Sequence, residues 1–400
     1  MSKLKNFYPY AFNLDFFDGD HEQFVSNKVQ QVQQISKDHT VVLYWYEPQP
    51  IENVMYAIEQ FGRKCDQRIV WILTDSFYTI EQQQQIRDTG IDATFIEFDL
   101  LNLYFELNIY KTSTLNTNWN YSADRFLFLT GKPNRPNRLR LLHKFYQQGL
   151  LNQCTWSLFM SNDLQKQSRY LLPELDDVEY VRFINACISN PDNAKVAYGS
   201  GNSCHYDGYP FDRALYEQTA FRVISETQMF SQAIVTEKTW TTIANQQPFI
   251  IAGYQHNLQP LQQQGYRTFE RYLKITNYDD IVDEEQRLDA VVKNTQNWLS
   301  NIQRYQTQIA NDVQHNYGLL IDQMNKTFDQ FSSIYRKLDN VEVEIFRVIP
   351  TSIQRANWIN FYYAVKSPNW PHCFGEEQFG ALPDIVQKEC IEVHGYSKLK

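Results

Sequence analysis

Short apolar runs alternate with stretches of helical length along this chain, and the alternation occurs twice. In the first half, residues 40–46 (TVVLYWY), 69–74 (IVWILT) and 94–99 (TFIEFD) read as strands. Residues 51–62 between them carry helical periodicity, and residues 79–89 form a polar helix that holds the glutamine run 82–85. Strands separated by helices pair in parallel, because the chain must cross over the sheet before it returns. The pattern restarts at residues 125–130 (RFLFLT), with a helix at 139–149 and a strand at 154–159. It resumes with a strand at 220–227, a helix opening at Thr236 and a strand at 248–253. The fold class expected is therefore α/β, with two Rossmann-like domains facing a cleft.

The predicted division is residues 1–122, 123–337 and 338–400, with a hinge near residues 110–124. Residues 160–210 read as irregular and turn-rich. Residues 279–337 read as one or two long helices packing back across both lobes. In the tail, residues 341–349 suggest a strand and 382–390 a short helix, and the whole of 338–400 reads as a C-terminal extension of unassigned role.

The formal charge of −9 argues against broad contact with a phosphate backbone, which needs clustered Lys and Arg. The densest basic patch is Arg135, Arg138, Arg140, His143 and Lys144. Six scattered cysteines form no C-x-x-C, which favours a reducing compartment over a disulfide framework. The longest apolar runs fall short of the ~18 residues of a membrane span, and the N-terminus lacks a signal-peptide block. Cytoplasmic placement with no transmembrane segment is the expectation. Aromatic residues make up 15% of the chain, which suits dense core packing or sugar stacking.

The chemistry-bearing residues gather around the second unit. Glu226 and Thr227 end one strand, and Thr236, Glu237 and Lys238 open the helix that follows. Ligands of open α/β sheets bind at such strand ends, and a helix N-terminus with a lysine suits a diphosphate. Arg138 begins a helix after a Pro/Asn loop, where a guanidinium can grip phosphate or serve only as a solvated charge. Glu47 ends the 40–46 strand beside Trp45 and Tyr46, and is a candidate general base; Asp75 is its competitor, and either can equally be a turn acid. Asp18-Gly19-Asp20 reads as a turn rather than a metal motif, and the histidine spacing predicts no metal site.

These residues resemble the α1,3/4-fucosyltransferase family, glycosyltransferase family 10. The resemblance lies in Ser225-Glu226-Thr227, then Ile234-Val235-Thr236-Glu237-Lys238, then the Pro248-led strand ending at Gly253. The strand and loop leading to Arg138 are similar to the family's diphosphate-contacting element, and Tyr44-Trp45-Tyr46-Glu47-Pro48 to its catalytic-base segment. The chain departs from the family pattern at Ile234, where the family has tyrosine, and at Thr227, where it has asparagine. The resemblance implies a GT-B fold, with the acceptor domain first and the donor domain second. It implies inverting, metal-independent sugar transfer from a nucleotide-sugar co-substrate, GDP-linked donors among the candidates, to a glycan or other hydroxyl acceptor. Glu47 would then be the base, and Arg138, Glu226, Thr227, Thr236, Glu237 and Lys238 the donor-binding set.

Three other readings compete. One is an enzyme of the phage or viral type that glycosylates DNA bases, disfavoured by the acidic balance. Another is a non-catalytic nucleotide-sugar-binding protein that keeps the donor lobe. The third is a structural protein, suggested by the unplaced tail.

Overall fold

A computed structural model describes residues 7–12, 21–34, 37, 40–45, 51–74, 78–97, 99, 100, 103, 119–130, 136–158, 172, 173, 175–189, 213–226 and 235–339. Asp18-Gly19-Asp20, Glu47, Asp75, Thr227 and all but the first two residues of the expected extension lie outside that set. The chain divides into two compact units, residues 1–112 with 324–400, and residues 113–323.

The first unit is built on four parallel strands, β1 (Phe7–Phe12), β2 (Thr40–Trp45), β3 (Arg68–Thr74) and β4 (Asp92–Ile96), side by side in that order. Helices α1 (His21–Gln33), α2 (Ile51–Lys64) and α3 (Ile80–Asp88) make the crossovers. Val25, Val29 and Val32 of α1 share one helix face, as do Val54, Ala57, Ile58 and Phe61 of α2. Both sets bury against Val41, Leu43, Trp71 and Leu73 of the sheet. Thr79 and Gln82 close a reciprocal cap at the start of α3, with bonds of 3.3 and 3.0 Å. The three strands and two helices expected here are all present, and the ends expected of the polar helix, Thr79 and Thr89, are its two caps. Strand β1 and helix α1 add to that expectation. Pro9 lies within β1, which is tolerated because β1 is the outer strand of the sheet order.

The second unit carries β5 (Phe126–Leu129), β6 (Cys154–Ser157), β7 (Phe221–Ser225) and β8 (Phe249–Ala252), again all parallel. Their spatial order is β6-β5-β7-β8, so the winding reverses between β5 and β7. All four strands are buried along their whole length, as a parallel sheet covered on both faces requires. Helix α4 (Pro136–Gln147) follows β5, and α5 (Asp177–Ile188) and the short α6 (Arg213–Glu217) lie between β6 and β7. Helix α7 (Glu237–Ala244) joins β7 to β8, and α8 (Gln259–Gln263) follows. Two long helices close the described chain, α9 (Glu284–Asn301) and α10 (Gln306–Asp339), the second running two residues past the 279–337 region expected to be helical.

The aromatic content serves this core. Phe126 stacks on Phe221 with ring centroids 5.7 Å apart, and Phe221 meets Trp298 of α9 edge-on at 5.0 Å. Phe145 of α4 packs edge-on against Phe126 and Phe128.

Two expectations need correction. Helix α4 begins at Pro136 rather than at residue 139, because a proline fits the first helical position, where its missing N–H is no loss. The segment read as irregular contains α5, whose Asp176 side chain accepts from the Glu179 amide at 2.8 Å and caps it. Three members of the basic patch are engaged on α4, while Arg135 lies outside the described residues. Arg140 pairs with Glu284 and Glu285, Lys144 with Glu285 and Asp289, and His143 with Glu179.

Candidate functional site

Where neighbouring strands of a parallel sheet send their connections in opposite directions, a crevice opens beyond their carboxyl ends. In the second unit that point lies between β5 and β7. Arg138 on α4 follows β5, and Glu226 directly follows β7.

Asn137 ties the two connections together. Its Nδ2 donates to Oγ of Ser225 at 3.1 Å and to the carbonyl of Glu226 at 3.0 Å. Asn137 is buried, so these bonds are shielded from water and fix the first turn of α4 beside the end of β7. Sequence reasoning read Asn137 as a loop residue only. Its place one residue after an N1 proline is a signal for the helix start, and nothing in the sequence announces its partner across the sheet.

Glu226 is fully buried and works on α7. Its Oε1 accepts from the Thr236 amide at 3.3 Å and from Oγ1 of Thr239 at 2.8 Å. Its Oε2 accepts from Oγ1 of Thr236 at 2.5 Å. The expected cap residue Thr236 has the extended backbone of an N-cap but no capping bond from its own side chain. Glu226 supplies the acceptor from outside the helix, for the first-turn groups that the helix itself leaves without one. The helix interior is held by back-bonds from Thr241 to the Glu237 carbonyl at 2.6 Å and from Thr242 to the Lys238 carbonyl at 2.7 Å.

That frame presents Glu237 and Lys238. Lys238 Nζ donates to Glu237 Oε1 at 2.5 Å and to Thr236 Oγ1 at 3.2 Å. Burial pushes the Glu237 carboxyl up, but the charge and hydrogen bond of Lys238, the charge of Arg138 and a hydrogen bond with Thr236 outweigh it. The net effect holds Glu237 below its ordinary value. Arg138 is itself buried. Of the expected donor-binding residues, Arg138, Glu226, Thr236, Glu237 and Lys238 therefore form one constellation, while Thr227 and the expected base Glu47 lie outside the described residues.

A second buried cation supports α7 from the sheet side. Arg222 of β7 donates to Tyr216 Oη at 2.8 Å, Thr242 Oγ1 at 3.1 Å and the Lys238 carbonyl at 3.3 Å. Its position inside an apolar run gave no sign of this role. Beyond β8, Gly253 packs on buried Asn257, and a Cβ on the glycine would lie 2.6 Å from Asn257 Cγ. Arg287 Nε donates to the Gly253 carbonyl at 3.0 Å, so this strand end is fixed too.

The arrangement offers two cations, one ionised carboxylate and two helix N-termini at a sheet switch point. Such a set can hold a diphosphate and accept hydroxyl hydrogens beside it. Among the described residues, no group of three or more His, Cys, Asp or Glu is placed to hold a metal ion. No helix among them is long and apolar enough to cross a membrane. Compared with protein-family models and with curated proteins, the chain matches none.

Proposed function

We propose that this chain is a nucleotide-sugar-dependent glycosyltransferase of fucosyltransferase-like type. It transfers a sugar, with inversion, from a nucleoside-diphosphate donor to a hydroxyl of a glycan or other acceptor. The observation that carries the proposal is the convergence of Arg138, Glu237 and Lys238 at the β5/β7 switch point. Loss of the sugar leaves growing negative charge on the diphosphate, and fixed cations beside it lower that barrier. Glu237 accepts hydrogen bonds from donor-sugar hydroxyls. On this reading the second unit binds the donor, as the donor domain of a GT-B enzyme does. Glu47, from the first unit, takes the acceptor proton as its oxygen attacks.

Titration calorimetry with UDP-, GDP- and CDP-sugars, followed by product analysis, tests the proposal. Binding of one sugar nucleotide with sugar transfer or slow donor hydrolysis supports it. Binding without either reaction reduces the protein to a sugar-nucleotide receptor. Failure to bind any of them overturns the proposal.

A further inference from the structure

Arg222 is a cation buried within a sheet. It lies inside β7 and is 2% exposed. Its Nη1 serves three neutral acceptors, the Tyr216 hydroxyl, the Thr242 hydroxyl and the Lys238 carbonyl. Its Nε meets no acceptor among the described residues, and no carboxylate among them pairs with it. A charge buried in this way is costly, and an apolar side chain of similar volume would be at least as stable. As a strut the guanidinium is also redundant, since the Lys238 carbonyl already accepts from Thr242 Oγ1 at 2.7 Å. Stability therefore gives no reason for an arginine at this position.

The balance of charge at the start of α7 gives one. Two carboxylates stand there, Glu226 and Glu237, and Glu226 accepts at both oxygens, as an ionised acid does. Arg138 and Lys238 are the two cations beside them, and they only cancel that negative charge. Arg222, with Nη1 3.3 Å from the Lys238 carbonyl, makes a third cation and leaves one positive charge in excess. A guanidinium cannot shed its proton to escape burial, and few counter-ions reach it there to screen it.

We propose that Arg222 is the unbalanced charge that draws the diphosphate to the start of α7, acting through the protein interior rather than by contact. The inference rests on the proposed nucleotide-sugar site and deepens it. The bound anion meets a charge that the free protein leaves unmet, so binding offsets part of the cost of burying the arginine. Arg222 is thus an affinity-determining residue of the site that no ligand atom touches.

The test separates the charge from the hydrogen bonds. Tyr216→Phe removes an acceptor of Arg222 and keeps the charge. Arg222→Met combined with Tyr216→Phe makes both ends of that buried contact apolar, a change that is nearly neutral or stabilising. Calorimetry on the full chain uses GDP-fucose, UDP-glucose and a CDP-sugar, and urea unfolding gives the stability of each variant. The single variant should bind within about threefold of the wild type. The double variant should bind about ten- to twentyfold more weakly for each unit of ligand charge, for a charge roughly 10 Å away in a medium of effective dielectric about 20. Its urea midpoint should be no lower than that of the single variant. A double variant with wild-type affinity overturns the inference. So does a double variant that unfolds before the single one, or a single variant that already shows the whole loss of affinity, since either makes Arg222 a strut. Those results leave the nucleotide-sugar reading standing. A wild type that binds none of the three sugar nucleotides removes the reading and the inference together.

Discussion

Replacing Glu226 with alanine tests whether the site is built on a carboxylate that grips the start of α7. The residue is 0% exposed, and its bonds at 2.5, 2.8 and 3.3 Å come from two threonine hydroxyls and one amide. Alanine removes all three acceptor contacts at once. Loss of a helix cap costs about 0.5–2 kcal/mol. The Thr239 hydroxyl, buried with its residue at 0% exposure, loses its acceptor, which costs a further ~1–3 kcal/mol. A total of about 1.5–5 kcal/mol is expected if the two effects add. Glu226→Gln should cost less, about 1 kcal/mol, because one oxygen still accepts from Thr236 and Thr239. Its new amide would face the Thr236 hydroxyl, which already accepts from Lys238 at 3.2 Å. Urea unfolding gives the stability change. Hydrogen exchange at Thr239 and Trp240, whose amides donate to the Thr236 carbonyl at 3.0 and 3.3 Å, gives its location. An alanine variant with the wild-type unfolding midpoint and unchanged exchange at those amides would refute the reasoning.

Arg138→Ala and Lys238→Ala should each weaken sugar-nucleotide binding by about one to two decades in calorimetry, since each removes a charge-assisted bond. Glu47→Gln should leave donor affinity near wild type while transfer falls ~10²–10⁴-fold in a product assay, with Asp75→Asn as the milder control; the reverse pattern would move the base to Asp75. Asp279 accepts from the amides of Asn257 and Leu258 at 3.1 and 2.9 Å, and burial pushes its carboxyl up from 3.8 to about 6. Glu270 adds to the rise, whereas the two amides and His256 oppose it. The folded chain therefore binds this proton more readily than the unfolded one. The contribution is fully present below about pH 4 and is lost as pH rises through about 6, for a total of up to ~3 kcal/mol. Asp279→Asn should remove that slope from the difference in urea midpoints between pH 4 and pH 7, and an unchanged slope would contradict the assignment.

Periodicity made most of the strands legible, because a buried parallel strand is a short apolar run and little else imitates it. The runs at 69–74 and 248–253 became β3 and β8 within a residue at either end. The edge strand β1 escaped because its proline argues against a central strand and its sequence FYPYAF does not alternate. Helix α5 escaped because Val178, Val181 and Ile188 are exposed, which blurs the apolar stripe expected of a packed helix. At the site, the residue types were legible while some of their duties were not. Thr236 marked the helix start correctly, yet its acceptor comes from Glu226, ten residues earlier and on another element. Asn137 and Arg222 act through partners 88 and 20 residues away, a distance that local pattern does not encode.

The central claim is that the β5/β7 switch point holds the diphosphate of a sugar nucleotide. A crystal structure of the full chain with the sugar nucleotide that binds most tightly tests it most directly. The account predicts the diphosphate oxygens within hydrogen-bonding distance of Arg138 and Lys238, at the first turns of α4 and α7, with sugar hydroxyls on Glu237. A nucleotide bound elsewhere, with the Glu237–Lys238 pair intact and Arg138 untouched, would contradict it.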